Sequence, residues 1–198
     1  METLTAAKRD MGKKAKALRK QGFITGIVYG KEMSENIPIQ ISAVDAGRFM
    51  KNHSKGSQAT LELEGKCVNV LLKDTDYDPT NHQYLSLDFQ ALVEGEKVHS
   101  TAPIILLNEE KVVGFLTHNL SELAYKAVPS ALIEKIEIDV SALPVGTNFL
   151  VKDLEIAKNP AIDIITPGDA LILHIAEHQK HSSADETEAA AETEQADA

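Results

Sequence analysis

The sequence predicts a mainly β fold with short helices (α+β), divided into two domains and an acidic tail. Most apolar residues fall in short runs that alternate with polar residues, as they do in half-buried strands. Only two short stretches have helical spacing, and prolines interrupt the second half of the 198-residue chain. The balance of charge also changes along the chain, which favours two domains over one.

The first half is predicted to contain strands and two short helices. Residues 13–21 are good helix formers and stop at Gly22, a favoured C-cap. Residues 42–52 place apolar side chains at helical spacing, with Ser42 as the N-cap. Strands are expected at residues 23–29, 37–41, 58–64, 66–73 and 84–89, with a hairpin turn at Glu64-Gly65 and a polar loop over residues 74–82.

The second half is predicted to be almost wholly β, beyond a linker at Glu94-Gly95-Glu96. The final segment, residues 182–198, has six acidic residues and no cation, aromatic or branched aliphatic residue, so we expect a disordered acidic tail. The predicted domains are residues 1–92 and 93–181, with the tail at 182–198. Strands are expected at residues 98–107, 133–140, 149–151, 162–166 and 170–176.

Positive charge is concentrated near the N-terminus, although the formal net charge is −10. Residues 1–90 carry 13 Lys and Arg against 11 Asp and Glu, whereas residues 91–181 carry 7 against 13. Such a cluster is typical of a polyanion binder, and a solvated helix face is the alternative. This cluster contains seven cations and only one acidic residue, Asp10. The cations are Lys8, Arg9, Lys13, Lys14, Lys16, Arg19 and Lys20.

The chemistry of this region favours RNA as the polyanion. On a helix, Lys13, Lys16 and Lys20 form one stripe, with Leu18 on the opposite side. Cations neutralise phosphates, and the nearby Tyr29 and the polar strand face of Tyr84, Ser86 and Asp88 can reach sugar hydroxyls and base edges. The wide, shallow minor groove of A-form RNA exposes those groups to a sheet and a short helix.

Membrane insertion and export are not predicted. The longest apolar run, residues 102–107, is far shorter than the roughly 18 residues of a membrane span. The first ten residues lack the apolar core of a secretory signal, so a cytoplasmic protein is expected. Cys67 is the only cysteine, which excludes an intrachain disulfide; its place in an alternating strand predicts a packed or half-buried thiol.

No motif predicts catalysis, a metal or a cofactor. Asp74-x-Asp76-x-Asp78 begins like a calcium loop, but Pro79 and Leu85 occupy the positions of the required glycine and glutamate, so an acidic turn is favoured. His174-x-x-Glu177-His178 matches an inverted zinc-protease motif. On the predicted strand its histidines would stand about 13 Å apart, too far for one zinc. Finding stoichiometric zinc in the purified protein would restore the hypothesis that it is an enzyme.

The order of several short motifs resembles the bacterial large-subunit ribosomal protein twenty-five family, in its long, general stress protein CTC form. The resemblance covers about residues 3–176. It is carried by residues 12–30, 70–74, Asp78-Pro79, Leu87-Asp88-Phe89, residues 138–146 and residues 151–154.

The resemblance implies an N-terminal six-stranded β-barrel that binds the irregular internal loop of 5S rRNA in the central protuberance of the large subunit. It also implies a mainly β C-terminal domain. The expected partners are 5S rRNA, the large subunit and neighbouring ribosomal proteins, with a monomer off the ribosome. The family's RNA-facing positions correspond here to Lys8, Lys13, Lys16, Arg19, Tyr29 and Asp88, whereas Arg9, Lys14 and Lys20 are added from composition.

Four departures from the family pattern predict weaker RNA binding. Lys16 and Ala17 replace two arginines, Thr25 replaces a proline, and Ser86 replaces a histidine at a position that we still expect to contact RNA. Asp76 and Tyr77 replace a Gln-Arg pair. Because fewer phosphates are neutralised, affinity and its dependence on salt should both fall. A stress-associated protein-interaction module with weakened RNA binding is therefore the alternative function.

Overall fold

The computed structural model describes residues 2–31, 33 and 35–177. It confirms the predicted class, because a closed six-stranded barrel is followed by a second β unit and the helices are short. The predicted tail, residues 182–198, lies outside the described residues, as do His178 and His181. Within the described part of the chain, no helix has the length and apolar character needed to cross a membrane.

The N-terminal unit consists of six strands and two helices. They are β1 (Thr3–Lys8), α1 (Ala15–Lys20), β2 (Phe23–Tyr29), β3 (Ile37–Ser42), α2 (Ala43–Asn52), β4 (Gln58–Leu63), β5 (Lys66–Asp78) and β6 (Gln83–Ala91). The strands close in the order β1-β3-β2-β6-β5-β4, and a parallel pairing of β1 with β4 completes the ring. Alternate residues fill the interior, where Ile39, Leu61, Val70, Leu87 and Phe89 have no exposed surface.

The parallel contact between β2 and β6 depends on Gly26. Gly26 lies opposite Leu87 in the register, and a Cβ at this position would overlap the Leu87 carbonyl oxygen. Glycine therefore lets the two strands approach closely. Because α1 ends just before β2, this contact also brings α1 close to β6.

The second unit contains two sheets around its own core, which is distinct from the barrel core. Its strands are β7 (Val98–Leu107), β8 (Phe115–His118), β9 (Glu122–Ala127), β10 (Ile136–Asp139), β11 (Asn148–Leu150), β12 (Ile162–Ile164) and β13 (Leu171–Ala176). One sheet has the order β10-β7-β9-β12 and the other β11-β13-β8. Short 3-10 helices span Glu109–Lys111, Pro129–Ala131, Val151–Asp153 and Glu155–Lys158.

The predicted loop over residues 74–82 is wrong, because β5 continues to Asp78. Two β-bulges, between Leu72 and Asp74 and between Asp76 and Tyr77, interrupt the alternation that marks a strand in the sequence. The turn itself begins where it was predicted. The Asp78 carboxylate accepts hydrogen bonds from the Thr80 amide at 2.9 Å and the Asn81 side chain at 2.7 Å.

Other elements also differ from the prediction. Strands β1, β8 and β9 were not predicted, and α1 is shorter than residues 13–21. Strand β10 begins at Ile136 because both backbone groups of Ile133 bond to the buried Tyr125 hydroxyl. The Cys67 thiol is exposed rather than packed, since Val68 and Val70 take the inward positions of β5.

Candidate nucleic-acid interface

The α1 helix is anchored by one apolar side chain and presents lysines to solvent. Leu18 is 1% exposed, so it fixes the helix on the barrel. The helix ends at Lys20, and Gly22 adopts a positive φ of 83° that is typical of a C-terminal glycine. The cations that remain exposed on this segment, called the α1 lysines below, are Lys13, Lys14, Lys16 and Lys20.

The α1 lysines at the start of the helix do not serve its stability, whereas Lys20 lies in the last turn, where a cation is favoured. Lys14 is the N-cap, Lys16 lies in the first turn, and no acidic residue occupies that turn. A cation near a helix N-terminus is disfavoured by the macrodipole, by roughly a few tenths of a kcal/mol. Among the residues that the structure describes, only Lys13 of this set pairs with an acid, at 3.5 Å from Asp10. Positive charge at this end is better explained by an external anion.

Arg19 has a structural contact that the lysines lack. Its Nε donates a hydrogen bond to the Leu85 carbonyl oxygen on β6 at 3.2 Å, and its side chain is half-buried. Arg19 is thus not an exposed helix position like the α1 lysines, because it joins α1 to β6. Its hydrogen-bond partner, Leu85, directly precedes Ser86 on that strand.

Lys8 and Arg9 precede α1 at the end of β1. Lys8 is exposed and lies opposite Ile39 of β3. Arg9 is half-buried, and its backbone amide donates to the Pro38 carbonyl oxygen at 2.9 Å. Both lie on the same connection as Asp10, so they extend the α1 cluster along the barrel.

The outward face of β6 carries Ser86 and Asp88 at increasing distance from α1. The register pairs Thr25 with Ser86 and Ile27 with Asp88, whereas Tyr29 lies at the far end of β2. Six residues along a strand correspond to about 20 Å. The structure thus brings Ser86 close to α1 but separates Tyr29 from it.

Three carboxylates meet on this face. Asp74 lies opposite Asp88, and Asp76 lies opposite Ser86, whose hydroxyl donates to the Asp76 carboxylate at 2.7 Å. Burial, followed by the charges of Asp74 and Asp76, raises the pKa of Asp88, against a backbone hydrogen bond from Ile27. A hydrogen bond from Lys55 lowers the pKa of Asp74, and the two ions are 3.1 Å apart. This part of the face repels phosphate.

The same carboxylates affect Tyr29. Burial, followed by the charges of Asp88 and Asp74, raises the pKa of its phenol, so the hydroxyl remains protonated at neutral pH. Tyr29 can therefore donate a hydrogen bond, but it does so from an acidic neighbourhood.

Three cationic residues and Tyr77 were missed as candidate contacts by sequence reasoning, which had named Tyr84. Arg48 and Lys51 lie one turn apart on α2, and Lys55 follows in the loop beyond the helix; all three line the same groove. Across from them, the Tyr77 and Tyr84 rings pack against each other in a tilted arrangement near the end of β5 and the start of β6. The spacing of the cations was visible in the sequence, whereas the tyrosines meet only because β5 extends past its bulges.

Metal-binding geometry is absent from the described residues, which contain no group of three or more His, Cys, Asp or Glu side chains able to hold an ion. His174 lies within β13 opposite Asn148, as the strand prediction required, and Glu177 follows the strand. The remaining histidine of the motif, His178, lies outside the described residues.

Comparison with known proteins assigns both halves of the chain. Residues 4–89 match the Ribosomal L25p family, and residues 97–179 match the C-terminal domain of ribosomal protein TL5.

Relatives named large ribosomal subunit protein bL25 match most of the chain. The large ribosomal subunit protein bL25 of Dictyoglomus thermophilum is 33% identical over 179 residues, covering 85% of this chain and 86% of that protein. The bL25 of Carboxydothermus hydrogenoformans is 33% identical over 178 residues, covering 87% of each chain. The bL25 of Thermoanaerobacter sp. (strain X514) is 28% identical over 177 residues, again covering 87% of each.

These matches run through both units, in the order in which the barrel and the second unit occur. Their family is one of ribosomal proteins, which are structural rather than catalytic, in agreement with the prediction of a non-enzyme. The chain therefore belongs to the ribosomal L25p (bL25) family, in its long form with a TL5-type C-terminal domain.

Proposed function

We propose that this chain is a structural constituent of the large ribosomal subunit that binds 5S rRNA in the central protuberance. It would act in the cytoplasm as part of the ribosome. Its relatives carry the name of a large-subunit protein. The observation that carries the RNA assignment is the α1 segment, whose four exposed lysines are anchored on the barrel by the buried Leu18.

The contact would be electrostatic first. Each lysine that neutralises a phosphate releases a condensed counterion, so affinity falls with salt in proportion to the number of contacts. Lys8 and Arg9 extend the contact along the barrel, and Arg19 holds α1 at a fixed distance from β6. Ser86, Asp88 and Tyr29 would then read hydroxyls and base edges beyond the lysines.

We further propose that the two domains have different functions, which we call the division of labour along the chain. Residues 1–92 would form the RNA-binding domain, and residues 93–181 would face neighbouring ribosomal proteins or solvent. The charge supports this, because residues 91–181 carry 13 acids against 7 cations. Off the ribosome the protein would be a monomer.

The α1 lysines give the direct test. We expect Lys16→Glu with Lys20→Glu to weaken 5S rRNA binding by about 100-fold at 0.1 M salt. The slope of log K against log salt should fall by about two, since two phosphate contacts are lost. Fluorescence anisotropy of labelled 5S rRNA measures both quantities. The matched control is Lys66→Glu with Lys158→Glu, which changes the same charge at exposed positions outside the α1 segment.

Equal losses in the two double variants would contradict a local RNA contact and leave only a general effect of net charge. We avoid Arg19 in this test because its hydrogen bond to Leu85 would confuse lost RNA contacts with lost docking of α1.

A second candidate function is a stress-associated protein-interaction module with weakened RNA binding. It is favoured by one observation, the three carboxylates Asp74, Asp76 and Asp88 on the expected contact face. Sedimentation of the native protein through a high-salt gradient separates the two functions. Co-migration with large subunits supports the ribosomal function, and free protein alone supports the alternative.

A further inference from the structure

A wide groove separates α2 from the tip of the β5–β6 hairpin. Its volume is about 1220 Å³. Small-molecule sites measure roughly 300–1,000 Å³, so the groove is large enough for a segment of polymer. Cations rim it on the α2 side, and aromatic rings line the hairpin side. We call it the α2 groove; its defining residues are Arg48, Lys51, Tyr77 and Tyr84, and Lys55 lies beside them in an ion pair with Asp74, which also lines the groove.

The cationic rim is fixed by the packing of α2. Ala46 and Phe49 are buried against the barrel, which turns Arg48 and Lys51 outward. The Arg48 side chain is 70% exposed and has only a loose pair with Asp45 at 3.7 Å. Such exposed pairs hold their partners weakly, so Arg48 can exchange Asp45 for an external anion at little cost.

The aromatic wall of the groove, formed by Tyr77 and Tyr84, is held in place more firmly than the cationic rim. The Tyr77 and Tyr84 rings lie 5.0 Å apart at an interplanar angle of 56°. Tyr84 packs against the barrel core, and the Tyr77 hydroxyl lies 3.2 Å from His82 Nδ1 across the hairpin turn. Tyr77 is nevertheless 46% exposed. A large ring that is held in place but left open to solvent is an available stacking surface.

We propose that the α2 groove binds a single-stranded segment of RNA, with one base stacked on Tyr77 and the adjoining phosphates near Arg48 and Lys51. The inference rests on the proposed RNA-binding function and adds to it a contact with unpaired nucleotides, separate from the α1 lysines. Stacking on aromatic side chains beside a cationic groove is the usual way in which proteins hold single strands.

An acidic peptide is the competing occupant, because it would also satisfy the cations. It would leave the aromatic wall unused, since a carboxylate gains nothing from stacking on a phenol ring. Every nucleobase has a flat face that stacks, so the pairing of rings with cations favours RNA over an acidic protein segment.

The experiment uses the full chain and an octamer of oligoadenylate as the probe. The chain has no tryptophan, so Tyr77→Trp introduces a single indole whose fluorescence a stacked adenine quenches. We expect saturable quenching by the octamer. We also expect Tyr77→Ala to weaken octamer binding by about tenfold, whereas Tyr77→Phe, which keeps the ring and loses the hydroxyl, should bind as wild type.

The α1 double variant, Lys16→Glu with Lys20→Glu, separates the two hypotheses. It should lose 5S rRNA binding yet bind the octamer within about threefold of wild type. If the α1 variant keeps its 5S rRNA affinity, the proposed function fails; if Tyr77→Ala binds the octamer as wild type does, the groove inference alone fails. Quenching by a peptide of residues 182–198 without quenching by the octamer would also overturn the inference, in favour of an acidic occupant.

Discussion

Asp88 is a partly buried carboxyl group on the barrel face, where it lies opposite Asp74 of β5. Burial raises its pKa, and the neighbouring charges of Asp74 and Asp76 raise it further. The neutral form of this carboxyl group is therefore favoured by folding. The protonated Asp88 carboxyl group stabilises the fold. This contribution to the free energy of unfolding is complete below the ordinary pKa of 3.8, and it is lost as pH rises through the higher pKa of the folded state.

We predict that Asp88→Asn raises the free energy of unfolding at pH 7. The variant removes a charge that the folded state disfavours while keeping an oxygen that can accept a hydrogen bond. The gain should shrink as pH falls, and it should reach a constant value below the ordinary pKa of the carboxyl group. Urea denaturation at a series of pH values measures it.

Asp78→Asn is the matched control, and we expect it to change the free energy of unfolding in the opposite direction. Hydrogen bonds from Asn81 and Thr80 lower the pKa of Asp78, so its ionised form stabilises the fold at neutral pH and this contribution is lost as pH falls through the lowered pKa. The substitution should reduce the free energy of unfolding at pH 7. A gain at pH 7 in both variants would mean that the two carboxyls act through net charge and not through their surroundings.

Individual residues show where sequence reasoning succeeds and where it stops. The helical wheel placed Leu18 opposite Lys13, Lys16 and Lys20, and the structure confirms that Leu18 is buried while these lysines are exposed. The wheel could not reveal the structural role of Arg19, because its partner, Leu85, lies 66 residues away. A contact at that separation is set by strand order, which local periodicity does not encode.

At the scale of elements, strand order governs the site. Strand β6 lies between β2 and β5, so its outer face is flanked by α1 on one side and by the carboxylates of β5 on the other. The parallel pairing of β2 with β6 requires Gly26, because its strand must pass close to the Leu87 carbonyl. Adding a single methyl group at Gly26 therefore tests whether the pairing of β2 with β6 depends on this close approach.

We predict that Gly26→Ala lowers the free energy of unfolding by about 3 kcal/mol or more, because the new methyl group meets rigid backbone. Gly47→Ala in α2 is the control: no atom lies within 4 Å of a Cβ at that position, so a gain of roughly 0.5–1 kcal/mol is expected from helix propensity. Urea denaturation followed by circular dichroism measures both. A wild-type urea midpoint for Gly26→Ala would show that β2 and β6 separate easily.

Elements were predictable where alternation is regular and not where it is interrupted. Strands β3, β4 and β6 alternate cleanly, and β2 is rich in β-forming residues although its burial does not alternate; all four were predicted within a few residues. The bulges of β5 shift its pattern, so its second half was taken for a loop. That error hid the aromatic wall of the α2 groove. Strand β9 does alternate, with Leu123, Tyr125 and Ala127 buried, so its omission reflects a missed signal.

At the scale of the whole molecule, the two units have separate cores and opposite charge. Polar contacts between them, in the described part of the chain, include the Lys31–Glu96 ion pair at 2.6 Å and two bonds to carbonyl oxygens: Gln58 donates to Pro129 at 2.6 Å and Lys73 to His99 at 2.7 Å. Burial, then the charge of Lys55, lowers the pKa of Lys73 against the opposing effect of Asp74. If the chain binds RNA as proposed, we expect the acidic second unit to act on the RNA mainly through its long-range electrostatic field.

We predict that the fragment of residues 1–92 binds 5S rRNA with the affinity of the full chain at 0.15 M salt, but more tightly at 0.01 M. The fragment lacks the acidic excess of residues 93–198, which repels a polyanion. Charges interact over about 8 Å at the higher ionic strength and about 30 Å at the lower one, so the repulsion is visible only in dilute salt. A chain ending at residue 181 is the control for the tail, and it should lie between the two at low salt. Binding by the fragment that is weaker than that of the full chain at both salt concentrations would place RNA contacts in the second unit and contradict the proposed division of labour.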